Sequence, residues 1–250
     1  NNMGKVMRKL WAVGLILLGV SSLSQAAPAV DEIIKGSLKK IDARLSAVSI
    51  QPAEMEGMYA VELNTGELLY SDAKGEYFMV GQLFRLSPQE GFVNLTEGKR
   101  KQQRLEQLAK VESKDIIVYP AEGERKATVT VFTDVDCGYC RKLHKEIPQL
   151  NAMGVQVNYL AFPRAGIGSN AFNVMESIWC AAPDKRNELM TRAKNGQKVD
   201  RSSCDSPIAS QLMLGQAVGV TGTPALVFED GTLMPGYLPA KQLARTLKLQ

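Results

Sequence analysis

The sequence predicts an α/β protein in which a mixed-sheet sandwich is preceded by a small α+β unit and a charged connecting helix. Three observations carry this. From about residue 115 onward, β-branched strands alternate with helical stretches. Residues 27–94 hold one amphipathic helix and several short strands of alternating character. Between them, residues 95–113 are polar on nearly every helical face.

Each element follows in order. Lys5, Arg8 and Lys9 precede the apolar run Leu10–Val20, and Ser24 and Ala26 form a small-residue cleavage site, so residues 1–26 read as a secretory signal peptide. The apolar run is too short to cross a bilayer, which takes about 20 residues. In the small unit, Ile34, Leu38, Ile41, Leu45 and Val48 share one helical face, and Gln51-Pro52 ends that helix. Tyr59, Val61 and Leu63 make a half-buried strand. Asn64-Thr65-Gly66 turns the chain into Leu68-Leu69-Tyr70, and Tyr77–Val80 and Leu83–Leu86 follow as strands. The charged stretch offers only Leu105, Leu108 and Ala109 as an apolar stripe, so it reads as a rigid linker bridging through solvent.

The third unit, residues 114–250, begins with strands at 116–119 and 127–132. A helix from Cys137 to about Leu150 and a strand at 155–162 complete a βαβ unit. Helices at about 169–181, 185–194 and 208–218 come next. Strands at 225–228 and 232–234 flank the turn Glu229-Asp230-Gly231, and a last helix spans 239–249.

Composition excludes several classes. The chain has 250 residues, 45% hydrophobic and 22% charged, which rules out a disordered or collagenous protein. Its charge is +4, but the leader carries three cations and no acid, so the mature chain stands at +1. Apart from the charged helix at about 96–112, for which a nucleic-acid or lipid patch is the lesser alternative to a solvated linker, no clustered basic face stands out, which argues against a nucleic-acid partner. A single histidine argues against multi-His metal sites. Export to an oxidising compartment permits disulfides among the four cysteines.

The chemistry centres on Cys137-Gly138-Tyr139-Cys140, which follows an apolar strand and opens a helix. The first cysteine then sits where unpaired backbone N–H groups and the helix dipole favour a thiolate. Cys140, one turn on, is placed to resolve a mixed disulfide. Gly138 leaves the sulfur open, and Tyr139 offers a face to substrate. The rival readings are a zinc site, which lacks a second Cys-x-x-Cys, and a purely structural bridge, whose small ring gains little loop entropy. Four cysteines allow three connectivities. Because the Cys-x-x-Cys context claims one pair, Cys180 and Cys204 read as a structural disulfide, worth roughly 3.5 kcal/mol for a loop of about 25 residues. His144 reads as a helix-surface or edge residue that adds modest positive potential. Thr223-Pro224 precedes a strand, and local sequence leaves its cis or trans state open.

Phe132-Thr133-Asp134 ahead of Cys137–Cys140, Lys142-Leu143-His144, the run Tyr159–Arg164, Ile178-Trp179-Cys180, Ser203-Cys204-Asp205 and Gly222–Ala225 together resemble the DsbC/DsbG family of bacterial periplasmic thiol:disulfide interchange proteins. Gly231-Thr232-Leu233 and Pro235-Gly236-Tyr237 extend the likeness. The resemblance implies a thioredoxin-like catalytic domain with inserted helices, preceded by a cystatin-like dimerisation domain and a linker helix. It implies a periplasmic homodimer that reshuffles non-native disulfides in misfolded exported proteins and is kept reduced by a DsbD-like membrane protein. Cys137 would be the nucleophile, Cys140 the resolving thiol, Thr223-Pro224 a cis-proline loop that binds substrate, and Cys180–Cys204 the structural bridge. No cofactor or metal enters this reading. A DsbG-like sulfenic-acid reductase and a holdase chaperone are the alternatives. Pro148 departs from a continuous active-site helix, since proline inside a helix kinks or ends it.

Overall fold

The computed structural model describes residues 29–249, and the signal peptide expected at residues 1–26 lies outside them. Helix α1 (Val30–Ile41) turns Ile34 and Leu38 inward against Ile50, Val61, Leu63 and Leu69. Asp31 and Glu32 in its first turn and Lys39 and Lys40 in its last complement the helix dipole. The periodicity predicts a longer helix, but α1 ends where Asp42 becomes extended and its carboxylate accepts from the Arg44 backbone and guanidinium. Leu45 still packs on the same core, whereas Val48 is exposed. Both lie at or beside β1 (Ala47–Pro52), which pairs antiparallel with β2 (Met58–Leu63). Pairing with β2 satisfies the backbone and still buries Ile50, so tertiary context overrides the helical spacing.

Strands β3 (Leu68–Asp72) and β4 (Phe78–Val80) complete a four-stranded antiparallel sheet in the order β1-β2-β3-β4. β5 (Phe84–Ser87) and β6 (Gly91–Asn94) form a separate hairpin. The sequence reading missed β6, which is short, mostly exposed and without clear alternation.

Helix α2 (Leu95–Leu108) starts at Asn94, whose side chain accepts from the Glu97 backbone N–H. It does not bridge through solvent. Thr96 is buried and bonds the Tyr70 hydroxyl at 2.6 Å and the Leu83 N–H at 2.7 Å. Arg104 is 6% exposed and donates to the carbonyls of Val218 at 3.0 Å and Gly231 at 3.1 Å. The helix is thus docked by buried polar groups along its length and by Leu108, which packs at its end on the cluster of Phe132, Leu212 and Val218.

The remaining elements are β7 (Ile117–Tyr119), β8 (Ala127–Thr133), α3 (Gly138–Lys145), α4 (Ile147–Ala152), β9 (Val155–Ala161), α5 (Asn170–Trp179), α6 (Pro183–Lys194), α7 (Ile208–Ala217), β10 (Ala225–Phe228), β11 (Leu233–Pro235) and α8 (Ala240–Thr246). Their five-stranded sheet runs β11-β10-β8-β9-β7, with β8 and β9 parallel and the other pairs antiparallel. Val129, Val131, Val155, Val157 and Tyr159 on the two central strands are at most 1% exposed. Helices cover the sheet. Gly215 lets α7 lie close to the aromatic pair Phe132 and Phe162, where a Cβ would come within 2.5 Å of Phe162.

The expected helix from Cys137 to Leu150 is two helices. Glu146 closes α3 and opens α4, and Pro148 lies in the first turn of α4, where its missing N–H costs nothing. Among the described residues no helix is long and apolar enough to cross a membrane.

Candidate active site

Sheet order places the site. β8 ends at Thr133, and its C-terminal end faces the start of β10 through the antiparallel register Phe132↔Ala225. Residues just after β8 therefore meet residues just before β10. The first group includes Cys137 and the second is Thr223-Pro224, whose peptide bond is cis.

Cys137 is the N-cap of α3, and its sulfur accepts the Cys140 backbone N–H at 3.4 Å. The residue is 3% exposed and unbridged, as is Cys140. A Cβ built on Gly138 meets nothing within 4 Å, so the space beside this residue, next in the chain to Cys137, is open. The Cys137 thiol donates to the Thr223 carbonyl at 3.2 Å. Thr223 Oγ1 is buried and finds no hydrogen-bond partner. That hydroxyl is available to the sulfur once the sulfur is charged.

The two sulfurs lie in opposed environments. Burial pushes the Cys137 thiol up, but hydrogen bonding from Thr223 and Cys140 and the Arg164 charge outweigh it and hold its pKa below the ordinary value. Cys140 is fully buried, and burial pushes its thiol up despite the nearby Lys194 charge.

Two charged residues that the sequence reading assigned no role frame the pair. Arg164, just beyond β9, donates from its backbone N–H at 3.0 Å and from Nε at 2.9 Å to Asp134 Oδ2. Asp134 is 2% exposed, and its other oxygen accepts the Asp136 N–H at 2.8 Å. Lys194, the last residue of α6, reaches beneath the site from the other side. The motif Phe132-Thr133-Asp134 hinted at Asp134, but a lysine closing a polar helix gives no sequence sign of burial.

His144 corrects the sequence reading. It is 7% exposed, with Nδ1 at 3.1 Å from the Tyr159 hydroxyl and Nε2 at 3.0 Å from Thr191 Oγ1. Thr191 donates its hydroxyl hydrogen to the Asn187 carbonyl, so Nε2 carries the imidazole proton and Nδ1 accepts. Burial pulls its pKa down to about 4. His144 is neutral at pH 7 and adds no positive potential.

Tyr139 is 64% exposed and stacks on Tyr237 at 6.2 Å between centroids. Tyr237 donates its hydroxyl to Glu146, and the Lys142 ammonium sits 4.7 Å over its ring. An exposed aromatic pair therefore stands at the start of α3, two residues along the chain from Cys137. Cys180, at the end of α5, is bridged to Cys204 with an S–S distance of 2.00 Å and a Cα–Cα distance of 5.7 Å.

A reduced Cys-x-x-Cys at a helix start beside a cis X-Pro loop is equipped for thiol–disulfide exchange. Residues 113–250 match the family of thioredoxin-like domains, and residues 23–97 match the disulfide bond isomerase protein N-terminal domain. The thiol:disulfide interchange protein DsbC of Escherichia coli (strain K12) is 39% identical over 241 residues, which is 96% of each chain. The chain belongs to the DsbC family. DsbC of Dickeya dadantii is 38% identical over 235 residues, 94% of each chain. A disulfide interchange protein of Neisseria gonorrhoeae matches in structure with 32% identity and a TM-score of 0.48, over 55% of this chain and 96% of that one. This DsbC family member is a thiol–disulfide oxidoreductase with disulfide isomerase function, built on a thioredoxin-like domain.

Proposed function

We propose that Cys137 is the nucleophile that drives isomerisation of non-native disulfides in exported proteins. The observation that carries this is the Cys137 sulfur, capping α3 beside the open space at Gly138, with its pKa held down by hydrogen bonds and the Arg164 charge. The Cys137 thiolate attacks one sulfur of a substrate disulfide. A Cys137–substrate disulfide forms, and the other substrate sulfur leaves as a thiolate. A substrate thiolate then attacks the mixed disulfide and restores Cys137, with no net electron transfer. If that step stalls, Cys140 resolves the mixed disulfide, the cysteine pair is oxidised and the substrate is released reduced. Backbone groups of the Thr223-Pro224 loop lie beside Cys137, where they pair with the substrate peptide.

We assign the chain to the periplasm after removal of residues 1–26, with a DsbD-like membrane protein as the source of electrons. The unit at 27–94 serves as the dimerisation domain, 95–113 as the connecting helix and 114–250 as the catalytic domain. Exposed Tyr77, Val80, Leu86 and Phe92 on β4–β6 and the loop before β4 favour a homodimer through the first of these. The Cys180–Cys204 bridge has a structural role. Cys137→Ser tests the reading in a scrambled-ribonuclease assay, where activity is expected to vanish. Retained activity would overturn it. Light scattering on the mature protein tests the dimer.

A further inference from the structure

Asp134 is a buried acid that the exchange cycle above does not use. It is 2% exposed and stands directly after β8, three residues before Cys137. Burying a carboxylate is unfavourable unless hydrogen bonds and charge offset the lost water. Here Asp134 Oδ2 accepts the Arg164 backbone N–H at 3.0 Å and its Nε at 2.9 Å, and Oδ1 accepts the Asp136 N–H at 2.8 Å. The Asp134 carbonyl is also shared. It accepts the Cys137 N–H at 3.3 Å and the Lys194 ammonium at 2.8 Å. Donors from the turn before α3, from the chain after β9 and from the end of α6 thus converge on one residue.

These bonds shape the segment that delivers Cys137. The Cys137 N–H and the Asp134 carbonyl close a four-residue turn, and the Oδ1 bond to the Asp136 N–H braces it as an Asx turn. Arg141 fastens the same turn from α3, donating from Nε to the Val135 carbonyl at 2.9 Å. The turn leaves Cys137 extended, at φ −90° and ψ 120°. That backbone lets its sulfur fold back on the Cys140 N–H and reach the Thr223 carbonyl. The Oδ2 bonds tie the whole turn to the chain leaving β9. We propose that Asp134 is a positioning residue for the attacking step, its carboxylate holding the turn that sets the Cys137 sulfur as the cap of α3. The proposal rests on the assignment of Cys137 as the attacking thiol. Charge alone argues for the opposite effect, since a nearby carboxylate works against a thiolate. Removing Asp134 should thus pull the Cys137 pKa down if charge decides, and push it up if the cap decides. The other charged groups around the turn are Arg164 after β9, Lys194 from α6, and Arg141 of α3 with exposed Asp136 at 3.7 Å. His144 on α3 is neutral, and Cys140 is the remaining thiol.

The test follows alkylation by iodoacetamide against pH in the reduced full-length mature protein, with peptide mass mapping to count Cys137 alone. Asp134→Asn keeps the size and one oxygen but sets an amide NH2 among donors that need an acceptor. Asp134→Glu keeps the charge, and its longer side chain cannot keep the Asx turn. Both variants are expected to raise the midpoint by about one pH unit. Both should also slow the reaction with the disulfide of thionitrobenzoate, in which Cys137 bonds one thionitrobenzoate and the other leaves as a thiolate. The thiolate fraction falls about tenfold and nucleophilicity recovers about threefold, so the first release at pH 7 should be about threefold slower. An unchanged or lowered midpoint in either folded variant overturns the proposal. Amide exchange in the unaltered protein tests it without a variant. The N–H of exposed Asp136, held by Asp134 Oδ1, should exchange at least about tenfold more slowly than an open amide. Exchange at the open rate overturns the proposal even if neither variant folds. Retained isomerase activity in Cys137→Ser would instead overturn the assignment of the attacking thiol.

Discussion

Replacing Arg104 by Met is expected to destabilise the protein by about 2–4 kcal/mol, because the guanidinium holds α2 to the catalytic unit through buried carbonyls. Arg104 is 6% exposed, and its Nε and Nη1 donate to the carbonyls of Val218 and Gly231. Each carbonyl left without its donor in a buried site costs about 1–3 kcal/mol. The ion pair of Arg104 with Glu97, at 2.6 Å, adds less than about 1 kcal/mol because the Glu97 side chain is about one third exposed. Methionine keeps most of the apolar stem, so packing loss is a minor part of the change. Lys101→Met is the control. Lys101 also reaches across to the catalytic unit and pairs with Asp230 at 2.9 Å, but both side chains are substantially exposed and the pair is worth at most about 1 kcal/mol.

Urea unfolding, followed by far-UV circular dichroism, gives the two values. Amide exchange then tests where the damage falls, since the Val218–Val220 segment and the turn at Gly231 should open faster in Arg104→Met. A loss below about 0.5 kcal/mol, or one no larger than that of Lys101→Met, would refute the view that buried polar bonds dock this helix.

The alkylation rate of Cys137, measured with iodoacetamide against pH, should have its midpoint below the 9.0 of an unperturbed thiol, and Arg164→Gln should move it up. Stability should fall as pH drops from about 6.5 toward 4, because the unfolded chain protonates His144 while the folded site keeps it neutral, with a pKa near 4. The full loss is about 3 kcal/mol, and thermal unfolding of His144→Gln should show a flatter profile over that window. Gly215→Ala should lower stability by about 1–3 kcal/mol, read by thermal unfolding, since the added methyl meets Phe162 and Phe132.

Much of this was legible because the signals were local. The central strands are runs of β-branched residues, and the Cys-x-x-Cys pair, one helical turn apart, stands at the start of α3. A count of four cysteines left one pair over, and the structure joins Cys180 to Cys204. What escaped was set by distant groups. Nothing near Arg104 in sequence announces the carbonyls of Val218 and Gly231, so a charged helix reads as solvated. His144 reads as a surface residue because its partners, Tyr159 and Thr191, come from another strand and another helix. Lys194 ends a helix of charged residues and is buried only because α6 packs against α3 beneath the site. The apolar spacing of Leu45 and Val48 misled because pairing with β2, not local periodicity, decides that segment.

The asymmetry between the two sulfurs bears on why such a site reshuffles disulfides rather than only reducing them. In the proposed cycle a mixed disulfide at Cys137 is productive for isomerisation only while a substrate thiol has time to attack it. A resolving cysteine with a low pKa would end that interval at once. Cys140 is fully buried and its thiol is pushed up, so resolution is held back. Cys137 has a lowered pKa, so initial attack is not. The helix start and the Arg164 charge serve the first cysteine, while burial governs the second. Two cysteines three residues apart are thus tuned by separate groups, and the lifetime of the intermediate can change without a change in the attacking thiol. Arg164→Gln should therefore slow the entry step more than the exit step.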